Sequence, residues 1–286
     1  MTYRCFDVNI DEKIAHIVLN RPEKRNSMIP EFWDELPRIV QDIDENARAR
    51  VIVISSTGPH FSSGLDVNAF AGLAVQSDDP ATEREARLQH GAKFHLIVQS
   101  MQRTFSSLES CRLPVIAAIQ GGCVGGGVDL VTACDMRYAT KDAFLTIYEI
   151  NIGMTADVGT FPRIAKLIPE GVARELAYTG RRMPAAEAQS VGLVNRVFPD
   201  QEAMLEEVMG IAREIARKAP LAIYGCKRLI NYARDHSTAD TLDYVGVWNA
   251  SMLQPDEIME AMAANAQKRA GEFVDLPKTR GTKETP

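Results

Sequence analysis

Three carboxylates lie close to a glycine-rich turn in this sequence, and together they have the makings of a proton-transfer site. Asp129 falls in the first turn after the glycines of GGCVGGGVDL, Glu149 lies in YEINIG, and Asp157 lies in TADVG. Asp157 is flanked by Met154, Thr155, Ala156 and Val158. An acid among such neighbours is costly to bury unless it is paired or its pKa rises. A pKa raised toward the working pH is what a general acid or base needs. Each acid alone also has a plainer assignment. Asp129 suits a helix dipole, Asp157 suits the N-cap of a helix near Gly159–Lys166, and Glu149 suits a solvent-facing strand end.

The glycines suggest what the acids would act beside. In Gly121–Leu130 they follow an apolar run and precede a helix-like segment. Without side chains, the backbone can come close to a ligand. Amides at a helix start point outward with partial positive charge, so the Gly126 amide is placed to stabilise an oxyanion. GxxxxGK[ST] is absent and no GxGxxG register fits, so a phosphate loop is not indicated. Tight strand–helix packing is the competing reading. A second turn, FSSGLD, bends at Gly64 and would bring the Leu65 amide to face the same site. Ser62 and Ser63 lack the G-x-S-x-G setting of a nucleophile and read as loop polar groups. The histidines His16, His60, His90, His95 and His236 are scattered; His90 and His95 miss the i, i+4 spacing of helical co-ligands. No metal is implied.

These residues need a scaffold of alternating elements. Ile14–Leu19 and Val51–Ser55 read as strands, and Ile29–Ile43 as a helix. Ala69–Thr82 reads as a mobile surface loop and Glu83–Leu108 as a long helix. VIAAI after Pro114 is a buried strand leading into the glycines, with a helix from about Val128 to Cys134. Short strands are expected at Met136–Ala139, Ala143–Thr146 and Leu193–Val197. Helices follow at Gln201–Lys218, Leu221–Asp235, Ala239–Met252 and Asp256–Ala270, broken by Pro220 and Pro255. The tail after Glu272 reads as frayed or partner-bound. This order implies an α/β core over 1–200 with the active site, and a helical region over 201–286.

The 286-residue chain is 45% hydrophobic and 24% charged, ordinary for a globular protein. Its net charge of −6 argues against a nucleic-acid binder. The cysteines, Cys5, Cys111, Cys123, Cys134 and Cys226, are odd in number and form no CxxC pair, so a reducing compartment fits. There is no signal-peptide core, no run long enough for membrane insertion and no peroxisomal ending in KETP, which makes the cytoplasm the default.

The motifs converge on one family. From IAHIVLNRPEKRNS through VIVISSTGPHFSSGLDV to VGLVNRVFPD, the chain resembles the crotonase, or enoyl-CoA hydratase/isomerase, superfamily. PVIAAIQGGCVGGGVDLVTACDMRYATKDAFLTIYEINIGMTADVGT and RDHSTADTLDYVGVWNASMLQ resemble its Δ3,5-Δ2,4-dienoyl-CoA isomerase branch. The resemblance implies an α/β spiral of ββα units whose C-terminal helices build a homotrimer or a dimer of trimers. It implies an acyl-CoA thioester substrate, fatty-acid β-oxidation, and no cofactor. It assigns the backbone amides of Leu65 and Gly126 to an oxyanion hole, Asp129, Glu149 and Asp157 to catalysis, and Ser63, Gly64, Leu65, Asp66, Val67 and Gly126 to substrate and coenzyme A contacts. Lys24 and Arg25 become candidate phosphate partners, and Lys227 or Lys268 could reach across a subunit boundary. Hydratases of the family carry glutamate at the first two acid positions; here the first is Asp129, and Asp157 is additional. That departure favours isomerisation over hydration. The rivals are a 2-enoyl-CoA hydratase, a non-catalytic crotonase-fold binding protein of RNA, and a hydrolase using Ser62 or Ser63.

Overall fold

The computed structural model describes residues 2–67 and 80–279, with side chains from 88 onward in the second span. Two sheets carry the architecture. The larger contains β1 (Phe6–Asp11), β2 (Ile14–Leu19), β3 (Val51–Ser56), β4 (Val115–Ile119), β6 (Met136–Thr140) and β9 (Arg196–Phe198), in that spatial order. β1 and β2 form an antiparallel hairpin, and every later pairing in this sheet is parallel. The smaller sheet holds β5 (Gly122–Val124), β7 (Phe144–Thr146) and β8 (Met183–Pro184). The chain winds between them: β4 leads to β5, and β6 leads to β7. These two turns each add a strand to both sheets before a helix returns the chain, as in the ββα spiral expected from the sequence.

The alternation of strand side chains explains why the large sheet is covered on both faces. In β3, Ile52 and Ile54 point into the main core with Phe32, Leu36 and Phe105. Val51 and Val53 point the other way, against Met204, Val208 and Ala212 of α7 (Gln201–Ala216). The main core is closed by α1 (Pro30–Glu45), whose buried residues Phe32, Leu36, Ile39, Val40 and Ile43 follow helical spacing, and by α2 (Pro80–Ser110). α3 (Gly126–Ala133) is buried along its whole length.

Most expected elements occur within a few residues of their expected bounds. The expected loop Ala69–Thr82 lies, for 69–79, outside the described residues, and Pro80 already begins α2. β1 was not expected, because its charged flanks mask the alternation of Phe6, Val8 and Ile10 with Asp7, Asn9 and Asp11. Between β7 and β9 run α4 (Thr160–Ile164), α5 (Glu170–Thr179) and α6 (Ala185–Ser190), with β8 between the last two. α5 and α6 were also unexpected; they are too short to show a clear apolar period. After α7 come α8 (Pro220–Ala233), α9 (Thr238–Met252) and α10 (Pro255–Gln267).

The tail departs from expectation as far as Thr279: it is pinned to its own chain. Arg50 donates to the Phe273 carbonyl (2.7 Å) and pairs with Asp275 (2.7 Å). Arg112 donates to the Pro277 carbonyl, the Thr279 N–H reaches the Glu45 carbonyl, and Leu276 is buried. Paired, partly buried arginines give this polar segment a fixed path that its own composition does not announce.

Candidate active site

The site begins where three backbone segments meet. In the bridge between Met28 and Leu65, the Met28 N–H donates to the Gly64 carbonyl (2.8 Å) and the Asp66 N–H donates to the Met28 carbonyl (3.0 Å). Those bonds use the neighbours of Leu65, so the N–H of Leu65 itself faces the opposite side. That side holds α3. Gly126 is its first residue, and its N–H lies outside the intrahelical ladder. A methyl placed on Gly126 would stand 3.7 Å from the Leu65 nitrogen, so the two amides share one small space. The same methyl would meet Met28 Sδ at 2.9 Å, and one on Gly127 would meet Cys123 Sγ at 3.3 Å. The glycine cluster thus permits tight packing, and the Gly126 N–H at its end lies outside the helical ladder.

Ser62 joins the Asn26 carbonyl through its hydroxyl (2.9 Å), accepts the Gly64 N–H (3.1 Å), and is fully buried. It props the turn and is not placed as a nucleophile.

A cavity of about 400 Å³ opens beside the amides. Ser63, Gly64, Leu65, Val67, Gly125 and Gly126 line it together with Glu149 and Asp157. The rest of the wall is apolar: Trp33 from α1, Phe94, Ile97, Val98 and Met101 from α2, with Ile152, Met154 and Val158. Asp66 is absent from the wall; its carboxylate accepts the Ser27 hydroxyl at 3.0 Å. The α2 residues recur at i, i+3, i+4 and i+7, a stripe legible in the sequence that the reading of motifs passed over. A second cavity of about 270 Å³ adjoins the first through Ser63, Val124 and Tyr148, and is lined by Arg25 and Arg182. Arg182 sits over the Phe144 ring, 4.3 Å from its centroid.

The structure brings the three acids together with different surroundings. Glu149 opens a short 3-10 helix, Glu149–Ile152, and its Oε1 would lie 3.0 Å from a methyl on Gly125. Asp157 is half-buried in the loop before α4. Asp129 lies behind the cavity wall and is completely buried, with Oδ1 accepting the Thr160 N–H (2.6 Å) and hydroxyl (2.8 Å). Among the described residues, its Oδ2 and Glu149 Oε2 are buried without a hydrogen-bond partner. Burial raises the Asp129 pKa to about 7, the nearby Glu149 adds to the rise, and the Thr160 bonds oppose it. Burial also raises Glu149, with Asp157 adding, and burial raises Asp157. The N-cap of α4 is Gly159 and not Asp157; Asp129, from across the fold, satisfies its first turn.

Lys227 departs from expectation. It is buried, donates to the Leu108 and Leu113 carbonyls (both 2.7 Å), and pairs with Asp135 (3.0 Å), so it is an internal brace and not a free cation. Among the described residues, no helix is long and apolar enough to cross a membrane.

A fold of this kind, with bared amides beside clustered acids, matches one family over nearly its whole length. The chain belongs to the enoyl-CoA hydratase/isomerase family, whose model matches residues 9–276. It is 42% identical over 278 residues to the mitochondrial Delta(3,5)-Delta(2,4)-dienoyl-CoA isomerase of Mus musculus, covering 96% of this chain and 84% of that one. It is 39% identical over 278 residues to the peroxisomal Delta(3,5)-Delta(2,4)-dienoyl-CoA isomerase of Arabidopsis thaliana, covering 96% and 99%. A solved enoyl-CoA hydratase from Bacillus anthracis superposes with a TM-score of 0.82 at 29% identity, covering 94% of this chain and 99% of that one. The crotonase-like fold expected from the sequence is thus present. The cytoplasmic expectation is overturned, since these isomerases are mitochondrial or peroxisomal. It rested on charge, cysteine usage and missing addresses, and a packed core carries no mark of its compartment.

Proposed function

We propose that this protein is an acyl-CoA isomerase that converts a 3,5-dienoyl-CoA into a 2,4-dienoyl-CoA in fatty-acid β-oxidation. The observation that carries the reading is that Glu149 and Asp157 line the same cavity as Leu65 and Gly126, whose amides approach each other there. The thioester oxygen binds between those two N–H groups, which stabilise the negative charge of a dienolate. One carboxylate takes the proton from C2 and another delivers a proton to C6, with conjugation carrying the electron pair between them. The proton count balances, and no cofactor enters. Asp129, behind the wall, has its own proton affinity raised by burial and by Glu149 and Asp157, and so couples to the pair. The second cavity, with Arg25 and Arg182, suits the phosphates of coenzyme A, and the apolar wall suits the acyl chain. The fully buried Asp129, with Oδ1 engaged by Thr160, is poorly placed to grip a water jointly with Glu149, which disfavours hydration. The exposed apolar residues of α9 and α10 support a trimer, or a dimer of trimers.

The test is spectroscopic. With a 3,5-dienoyl-CoA, absorbance of the new 2,4-diene rises; with crotonyl-CoA, enoyl absorbance stays. Asp157→Asn lowers kcat by at least about a thousandfold while substrate affinity stays near normal, the pattern of a group that acts on the proton in flight. Near-normal turnover by that variant would refute the assignment.

A further inference from the structure

The loop that carries Asp157 is gripped from one side by α2. The Gln102 side-chain amide donates to the Asp157 carbonyl at 2.7 Å. One turn farther along α2, Ser106 and Glu109 hold the Arg163 guanidinium at 3.1 and 3.0 Å. Arg163 in turn donates to the Gly159 carbonyl at 3.3 Å. Gly159 has φ +133°, and a methyl there would stand 1.9 Å from Arg163 Nη1, so the backbone and the arginine are fitted to each other. On the far side, Thr160 is tied to Asp129 of α3. The segment 157–160 is therefore anchored at both ends, and Gln102 is the anchor at the acid itself. Gln102 lies next to Met101 and one turn beyond Val98, both in the cavity wall. The helix that walls the acyl pocket thus also sets the backbone from which Asp157 projects.

We propose that Gln102 is a positioning residue for Asp157, holding the carbonyl of that residue so that its carboxylate meets the reacting carbon. This rests on the isomerase reading above. Misplacing a catalytic group by about 1 Å can cost on the order of a hundredfold in rate. The charged groups around Asp157 are Glu149 on the 3-10 helix and Asp129 on α3, with the Arg163–Glu109 pair of α4 and α2 beyond.

Turnover of a 3,5-dienoyl-CoA is compared for the unsubstituted protein, Gln102→Leu, Gln102→Glu and Gln99→Leu, a control at an exposed glutamine of the same helix. Gln102→Leu lowers kcat by about tenfold to a hundredfold with KM changed less than about twofold. Gln102→Glu matches the glutamine in size, so it carries the test if the leucine variant does not fold. Its carboxylate cannot donate to the carbonyl and places a like charge beside Asp157, so the Asp157 limb of the pH–rate profile moves to higher pH. A residue serving stability alone lowers the folded fraction but leaves the kcat of the folded enzyme where it is. The inference is overturned if Gln102→Leu keeps kcat within about twofold of the parent, or if Gln102→Glu loses rate with an unmoved limb. An inactive parent overturns the isomerase reading and this one with it; an active parent with indifferent Gln102 variants overturns this one alone.

Discussion

The two carboxylate oxygens of Asp129 have unequal surroundings. Oδ1 accepts two hydrogen bonds from Thr160, while Oδ2 is buried with none among the described residues. A carboxylate so placed is held where its charge is disfavoured, and its pKa rises from 3.8 to about 7. The folded protein then keeps a proton that the unfolded chain releases across that interval. The stability tied to this proton is full below 3.8 and is lost as pH rises through about 7. Asp129→Asn keeps an oxygen for Thr160 and replaces the orphaned one with a donor beside Glu149. Its melting temperature should exceed that of the parent by roughly 5 °C at about pH 8, with the gap closing toward about pH 5, while turnover falls. Thermal melts across that range check this; an offset equal at both ends contradicts the assigned titration. The acid itself was legible in the sequence. Its partner was not, because Thr160 lies 31 residues away and only the fold brings them together.

At the scale of elements, catalytic geometry depends on how closely the FSSGLD turn approaches the start of α3. Gly64 has φ +79°, and a methyl on it would stand 2.7 Å from the Val124 carbonyl oxygen and 3.1 Å from the Gly126 nitrogen. Gly64→Ala must therefore push apart the two segments that bear the paired amides. Loss of one oxyanion donor typically costs 10²–10³ in kcat, and about that loss is expected here with a smaller effect on KM. Steady-state kinetics on the dienoyl thioester checks it, and a wild-type kcat would mean that the amides do not act. The turn residues were readable because glycine marks where a backbone must bend or come close. β3 and β4 were readable because continuous β-branched and apolar runs suit strands covered on both faces. β5 and β8, of three and two residues, carry no period of their own and exist only through pairing with β7. Lys227 was misread for a related reason: a lysine in a helix ordinarily snorkels to water. Here the end of α2 offers the Leu108 carbonyl, the turn after it offers the Leu113 carbonyl, and the residue before β6 offers Asp135, partners that no local pattern reveals.

At the scale of the whole molecule, the single chain leaves its last helices short of partners. α9 is 15 residues long and buries none of them. Isolated helices of about that length are marginal in water, so α9 needs a packed face to persist. Part of that face is internal: Trp248 lies edge-on to Tyr224 of α8, with ring centroids 5.2 Å apart. The remainder is open, with Leu242, Val247, Met259 and Met262 each more than half exposed. Exposed apolar residues gathered on consecutive helices mark an interaction surface. A closed assembly of copies buries such a face on every subunit at once. If the proposed trimer or dimer of trimers forms, the protein in solution has a mass of three or six times the 31.6 kDa chain. Replacing Val247 and Met259 together with glutamate places charges in that contact, so the assembly should fall toward single chains and the melting temperature should drop by several degrees, about 2–4 °C for each kcal/mol lost. Light scattering behind size-exclusion chromatography reads both states. A parent that elutes at the mass of one chain sinks the proposed ring and leaves α9 to be explained by some other cover.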